Sequence, residues 1–206
     1  MARNRAVMAA QSVGYYGKIP ARGDFVGNGL PSSLVKAWDN ALSSVLARGK
    51  AALADRWTDV WLEAPVWRFA LPQAMCGADP VLGLWMPSID KAGRHFPLMI
   101  AATCPGATPE QMARRGGAWL DAAEDAGRAA IAEDLSPEQL ADLVPPSPDL
   151  TDSADMGLPH DLLPRSGVGL WWTDGAPLVP AQGLVLDTMP GAATFLAMLD
   201  GVMLPP

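Results

Sequence analysis

Between residues 84 and 100 the chain places two short apolar blocks, Leu84-Trp85-Met86 and Phe96-Pro97-Leu98-Met99-Ile100, on either side of a polar loop. Neither block is long enough for a buried helix and Gly93 supplies a turn residue, so the pattern predicts two strands joined by a loop. That loop brings Asp90, Lys91, Arg94 and His95 to one end of a sheet. Hairpin tips are ordinarily just solvated, so a functional reading needs support from elsewhere in the chain.

Comparable blocks predict strands near 12–16, 66–71, 81–86, 96–102 and 168–172, with short strands or extended edges at Leu178-Val179 and Leu184-Val185-Leu186. Leu34, Trp38, Ala41, Leu42, Val45 and Leu46 recur at three- and four-residue spacing, which predicts a helix near 33–48 capped by Ser32 or Ser33 and stopped by Gly49. Its other face, with Lys36, Asp39, Asn40, Ser43 and Ser44, is polar, so one side of the helix is wet. Thr108-Pro109-Glu110-Gln111 forms a capping box that opens a helix over about 109–131, bent or broken at Gly116-Gly117. A second box, Ser136-Pro137-Glu138-Gln139, opens a short helix, and a closing helix runs from about Pro190 to Gly201. Residues 145–164 are Pro-rich and acidic without a period, which predicts an irregular surface crossing, mobile in part. These elements make an open α/β sheet with helices against it, in one domain spanning 1–206.

Composition narrows the function. The 206 residues are half hydrophobic and include eight Trp against two Tyr and four Phe. Most of these large rings belong in the core, Trp38 among them, with some left for a partner. A net charge of −7 and the lack of a basic run argue against a nucleic-acid surface. The apolar run 6–10 is too short for a signal-peptide core and no stretch has membrane-spanning length, so a soluble cytoplasmic protein is expected. Cys76 and Cys104 lack metal-site or dithiol spacing and are expected to be reduced core residues.

Candidate chemistry gathers in a Gly- and Pro-rich segment, residues 17–31, whose charges are Lys18, Arg22 and Asp24. Arg68 falls inside an apolar strand and needs a carboxylate, for which Asp24 or Asp90 is the candidate. Arg22, Asp24, Arg68, Asp90 and Arg94 are therefore expected to form one ion-pair network, either pinning the segment onto the sheet or binding a partner. The alternative is a small hydrolase or ligand-binding enzyme using Ser88, Asp90 and His95, although Ser88 sits in no G-x-S-x-G elbow. The glycine spacing matches neither a P-loop nor a dinucleotide fingerprint, and Asp121, Glu124 and Asp125 read as a solvated helix face. No metal, cofactor or nucleotide is expected.

Four motifs in order carry a resemblance: Gly14-Tyr15-Tyr16-Gly17-Lys18-Ile19-Pro20-Ala21-Arg22-Gly23-Asp24-Phe25-Val26, Trp67-Arg68-Phe69, residues 86–98, and Leu170-Trp171-Trp172-Thr173. Together they resemble the bacterial TagF/ImpM proteins associated with type VI secretion. The resemblance implies a mixed α/β domain with an antiparallel central sheet, related to longin-like domains. It also implies a non-enzymatic cytoplasmic accessory protein that restrains secretion after translation. A forkhead-associated scaffold protein is the implied partner, and a metal-dependent serine/threonine phosphatase the recurring neighbour, with no phosphatase segment expected within these residues. Residues 105–165 show no motif of that family. The expected contact surface comprises Arg22, Asp24, Arg68, Ser88, Asp90, Arg94, Trp171 and Trp172.

Overall fold

The computed structural model describes residues 11–151, 154–155 and 157–201; the apolar run 6–10 lies outside them. The chain enters through β1 (Val13–Gly17) and β2 (Val26–Asn28), then α1 (Ser32–Leu53), a short 3-10 turn and α2 (Trp57–Glu63). β3 (Trp67–Leu71), β4 (Val81–Met86) and β5 (Leu98–Thr103) follow, and α3 (Pro109–Arg115), α4 (Gly117–Ala132) and α5 (Pro137–Leu143) come after them. β6 (Gly169–Thr173), β7 (Gln182–Leu186) and α6 (Ala192–Asp200) complete the order. The strands form one seven-stranded sheet, β2-β1-β5-β4-β3-β6-β7, antiparallel at each pairing.

Helices cover both faces. α1, α2 and α6 bury Trp38, Trp61 and Phe195 against Phe69, Trp85 and Trp171 on one side. On the other side α3, α4 and α5 bury Met112, Leu120 and Leu140 against Leu82, Ile100 and Trp172. β4 and β5, central in the sheet, are buried at every position, which is why their sequences read as unbroken apolar runs rather than alternation. Their register, Leu84 opposite Ile100 and Met86 opposite Leu98, makes the expected hairpin.

Several local expectations are corrected. Gly49 does not stop α1: it lies buried within the helix, where an added Cβ would come 3.1 Å from the Trp57 ring, so the glycine permits close packing. The residue before α1 is Pro31, and the helix starts without a side-chain cap. α3 and α4 are separate helices meeting at Gly116, and both capping boxes form as the sequence predicts. β2 and α2 carry no periodic signal, because β2 is three residues on the sheet edge and α2 is two turns read only through Trp57, Val60 and Trp61. The described residues of the 145–164 crossing are irregular apart from a 3-10 turn at Pro159–Asp161, and both ends are docked: Trp119 Nε1 donates to Pro146 O at 2.7 Å and Leu162 is buried.

Candidate functional site

The β4–β5 tip and the loop after β1 are tied into one unit. Gly17 leaves β1 at φ +147°, and a Cβ there would come 2.1 Å from Pro97 O, so only glycine lets the loop run against the start of β5. Lys18, 6 % exposed, follows and turns inward. Its Nζ donates to Asp90 Oδ2 at 2.8 Å, and the Asp90 side chain is fully buried. Asp90 Oδ1 accepts the backbone N–H groups of Ala92 and Arg94, each at 2.9 Å, while Oδ2 also accepts Arg94 Nε at 2.7 Å. Burial alone would raise the Asp90 carboxyl, but the bonds from Lys18, Arg94 and Ala92 outweigh it and hold the group well below the usual carboxylate range.

Three further bonds close the unit. Arg94 Nη2 donates to Gly23 O, Lys91 N donates to Arg22 O at 2.9 Å, and Ser88 Oγ donates to Lys18 O at 2.7 Å. Beyond this latch the exposed groups are Arg22, Asp24, Phe25, Lys91 and Arg94. The Arg22 side chain lies 3.9 Å from Glu138, and both are more than half exposed.

Below the tip, His95 stands edge-on against two stacked indoles, its ring 5.8 Å from that of Trp57 and 5.9 Å from that of Trp61. Trp57 Nε1 donates to His95 Nδ1 at 3.2 Å, so Nδ1 accepts and the ring is neutral in this arrangement. Burial pushes the His95 pKa down, the charges of Lys50 and Lys18 push it further, and Asp90 opposes them. Ser88, Asp90 and His95 thus each spend their hydrogen bonds on other partners rather than on one another.

Arg68 does not join the tip. It lies on the α4 face of β3, where its Nη2 is 3.0 Å from Glu124 Oε2 and 2.8 Å from Asp121 Oδ1. Burial lowers its pKa, but the Glu124 hydrogen bond and the two carboxylate charges reverse that and raise it. Glu124, 17 % exposed, is therefore an anchor and not part of a solvated face, and it also receives Arg128 at 2.7 Å; Asp121 and Asp125 are exposed as expected. Trp171 and Trp172 are 1 % and 3 % exposed and fill the two opposite cores, so neither is open to a partner. Ser88, 3 % exposed, belongs to the latch and not to an accessible surface. Lys18 is the latch residue that the expected ion-pair network left out. Its signal was a lone cation between the apolar Tyr16 and Ile19, in a loop that the next residues anchor.

A family model described as the TagF N-terminal domain, type VI secretion system-associated, matches residues 14–145, which include both loops of the tip. The chain belongs to the TagF family. A crystal structure of PA0076 from Pseudomonas aeruginosa PAO1 superposes on this TagF chain with a TM-score of 0.72 at 29 % identity, covering 95 % of this chain and 99 % of that one. The curated proteins gave no match. The TagF match continues through α3, α4 and α5, so the part of the 105–165 region up to Pro145 is family sequence even though no motif was read there. Cys76 and Cys104 are free and buried, with burial pushing their thiols up to about 12 and about 11. Among the described residues no helix is long and apolar enough to cross a membrane, and no cluster of His, Cys, Asp or Glu is grouped to hold a metal ion.

Proposed function

We propose that this TagF chain is a cytoplasmic accessory protein that restrains a type VI secretion system after translation by binding a protein partner through the β4–β5 tip. The forkhead-associated scaffold of the system is the partner this reading favours. The observation that carries it is the latch: Asp90, buried and paired with Lys18 and Arg94, holds two glycine-rich loops in one register and leaves Arg22, Phe25, Lys91 and Arg94 facing outward. A loop fixed this way is preorganised, and preorganisation reduces the entropy lost on docking. The engagement of Ser88, Asp90 and His95 with other partners supports binding over catalysis.

The test is complementation of a strain lacking the chain with the wild type and with the double variant Arg22→Glu/Lys91→Glu, measuring secretion and, on purified protein, the unfolding midpoint. Released secretion with an unchanged midpoint is expected, because both side chains are exposed and outside the latch. Full restraint by the double variant would remove the tip from the mechanism, and a large drop in midpoint would make these residues part of the scaffold.

A further inference from the structure

The charges of this chain are unevenly placed. The loop 17–31 and the tip 87–95 carry four cations, Lys18, Arg22, Lys91 and Arg94, against two carboxylates, Asp24 and Asp90, which leaves eleven cations against twenty carboxylates in the rest of the 206 residues. Asp90 is buried and its charge is matched within the latch, so what reaches solvent is Arg94 with a 60 % exposed side chain, Arg22 with 52 %, and Lys91. Asp24 and Glu138 lie beside them and only partly offset them.

An aromatic anchor adjoins these cations. Phe25 is 47 % exposed although it is large and apolar, and it is held in place. Its ring stacks on Tyr16 at 5.5 Å, meets Phe96 edge-on at 4.7 Å and lies under Lys18 Nζ at 5.1 Å. It forms one wall of a groove of about 580 Å³ beside the edge strand β2, shared with Tyr16, Val26, Leu30 and Val35 and with Lys36 and Asp39, whose opposite charges offset. A rigid half-exposed aromatic ring next to a groove, two residues along from the Gly23 carbonyl that Arg94 holds, is the arrangement of an interface centre with a charged rim.

We propose that this surface docks an acidic, extended segment of a partner protein, whose carboxylates meet Arg22, Lys91 and Arg94 while one large apolar side chain enters the groove against Phe25. The inference rests on the binding reading above and adds the chemistry of the partner. Charge complementarity favours a short peptide segment over a nucleic acid or an anionic membrane, because an extended polyanion would also meet the strongly acidic remainder of the chain, whereas a short segment touches the tip alone.

The full chain is used to select from a display library of random peptides, and the enriched sequences are synthesised and titrated by fluorescence anisotropy at low and high salt. The expected result is enrichment of peptides rich in Asp and Glu around a Leu, Phe or Trp. Their binding should weaken with salt, fall at least tenfold in Arg22→Glu/Lys91→Glu and in Phe25→Ala, and stay unchanged in Arg165→Glu, a surface charge reversal near β7. Enrichment of neutral or basic sequences, equal binding to the double variant, or recovery of no peptide that depends on the tip would overturn the proposal. The purified forkhead-associated scaffold is titrated in parallel. If the scaffold binds the wild type more tightly than the double variant while no acidic peptide binds, the docking inference fails and the reading of the tip as the regulatory surface survives. If acidic peptides bind as expected but the scaffold does not, the regulatory partner is wrong and the acidic docking surface stands.

Discussion

The hairpin tip and the α4 face of the sheet each hold an ionised group among apolar neighbours, with opposite designs. At the tip a carboxylate is buried and its cations come from the loops, so Asp90 draws Lys18 inward and leaves Arg94 half in water. On the sheet face a cation is 85 % covered and its carboxylates come from a helix, so Arg68 fastens α4 to β3 through Glu124 and Asp121. The first cluster joins two loops and shapes a surface. The second joins two regular elements and spends its exposed members, Asp121 and Arg128, on the buried Arg68–Glu124 pair, and this difference separates a candidate docking site from a structural staple made of the same chemistry.

Removing the central group of each cluster should separate them most sharply. Asp90→Ala strands a Lys18 that is 6 % exposed and strips two backbone N–H groups of their acceptor, an expected loss of about 3–5 kcal/mol. For a chain of this size that is on the order of 10 °C in unfolding midpoint, measurable by thermal denaturation. Glu124→Ala should cost less, about 1–3 kcal/mol, since Arg68 keeps Asp121 and some access to water. Arg68→Met leaves Glu124 with Arg128 and Asp121 in water, so by the same measurement it should cost no more than Glu124→Ala. An Asp90→Ala loss no larger than that of Glu124→Ala would mean the tip is not the more tightly buried cluster.

Acid should also distinguish the two regions. His95 has a native pKa below its ordinary 6.5, so as pH falls through 6.5 the unfolded chain takes the proton first and stability declines. Asp90, held below its ordinary 3.8, adds a second decline below that pH, where the unfolded carboxyl is protonated and the native one is not. Denaturant titrations between about pH 7.5 and 3 should show both, and His95→Gln should flatten the upper one. Protonation of the folded ring at Nδ1 would also break the Trp57 bond, so the indole fluorescence of the folded chain should change at the lower end of that decline, where stability levels off. The smallest effect is expected from Lys91→Glu, which should move stability by no more than about 0.5 kcal/mol while weakening partner binding.

How much of this was legible in the sequence followed from the range of the contacts. The β4–β5 hairpin, the two capping boxes and the Asp90-to-Arg94 pairing all depend on residues within a few positions of one another, and short-range spacing reveals them. The partner of Arg68 lies 56 residues away on a helix whose acids look solvated in sequence, so the choice between Asp24, Asp90 and Glu124 needed the register of β3 and the placement of α4. Trp171 and Trp172 look alike in sequence, but adjacent residues on a strand face opposite sides, and here helices cover both sides. Lys18, one of the charges of the 17–31 segment, stayed outside the expected network because a lysine is rarely buried without a partner and its partner Asp90 is 72 residues distant.

The account depends on Asp90 holding the two loops as one body, and the Lys91 amide reports this directly, because it donates across the junction to Arg22 O. Amide hydrogen exchange in the native full chain should show Lys91, Ala92 and Arg94 protected in the wild type and in Glu124→Gln, and exchanging at least tenfold faster in Asp90→Asn. Retained protection of the Lys91 amide in Asp90→Asn would show that the loops stay joined without the buried carboxylate, and would contradict the account.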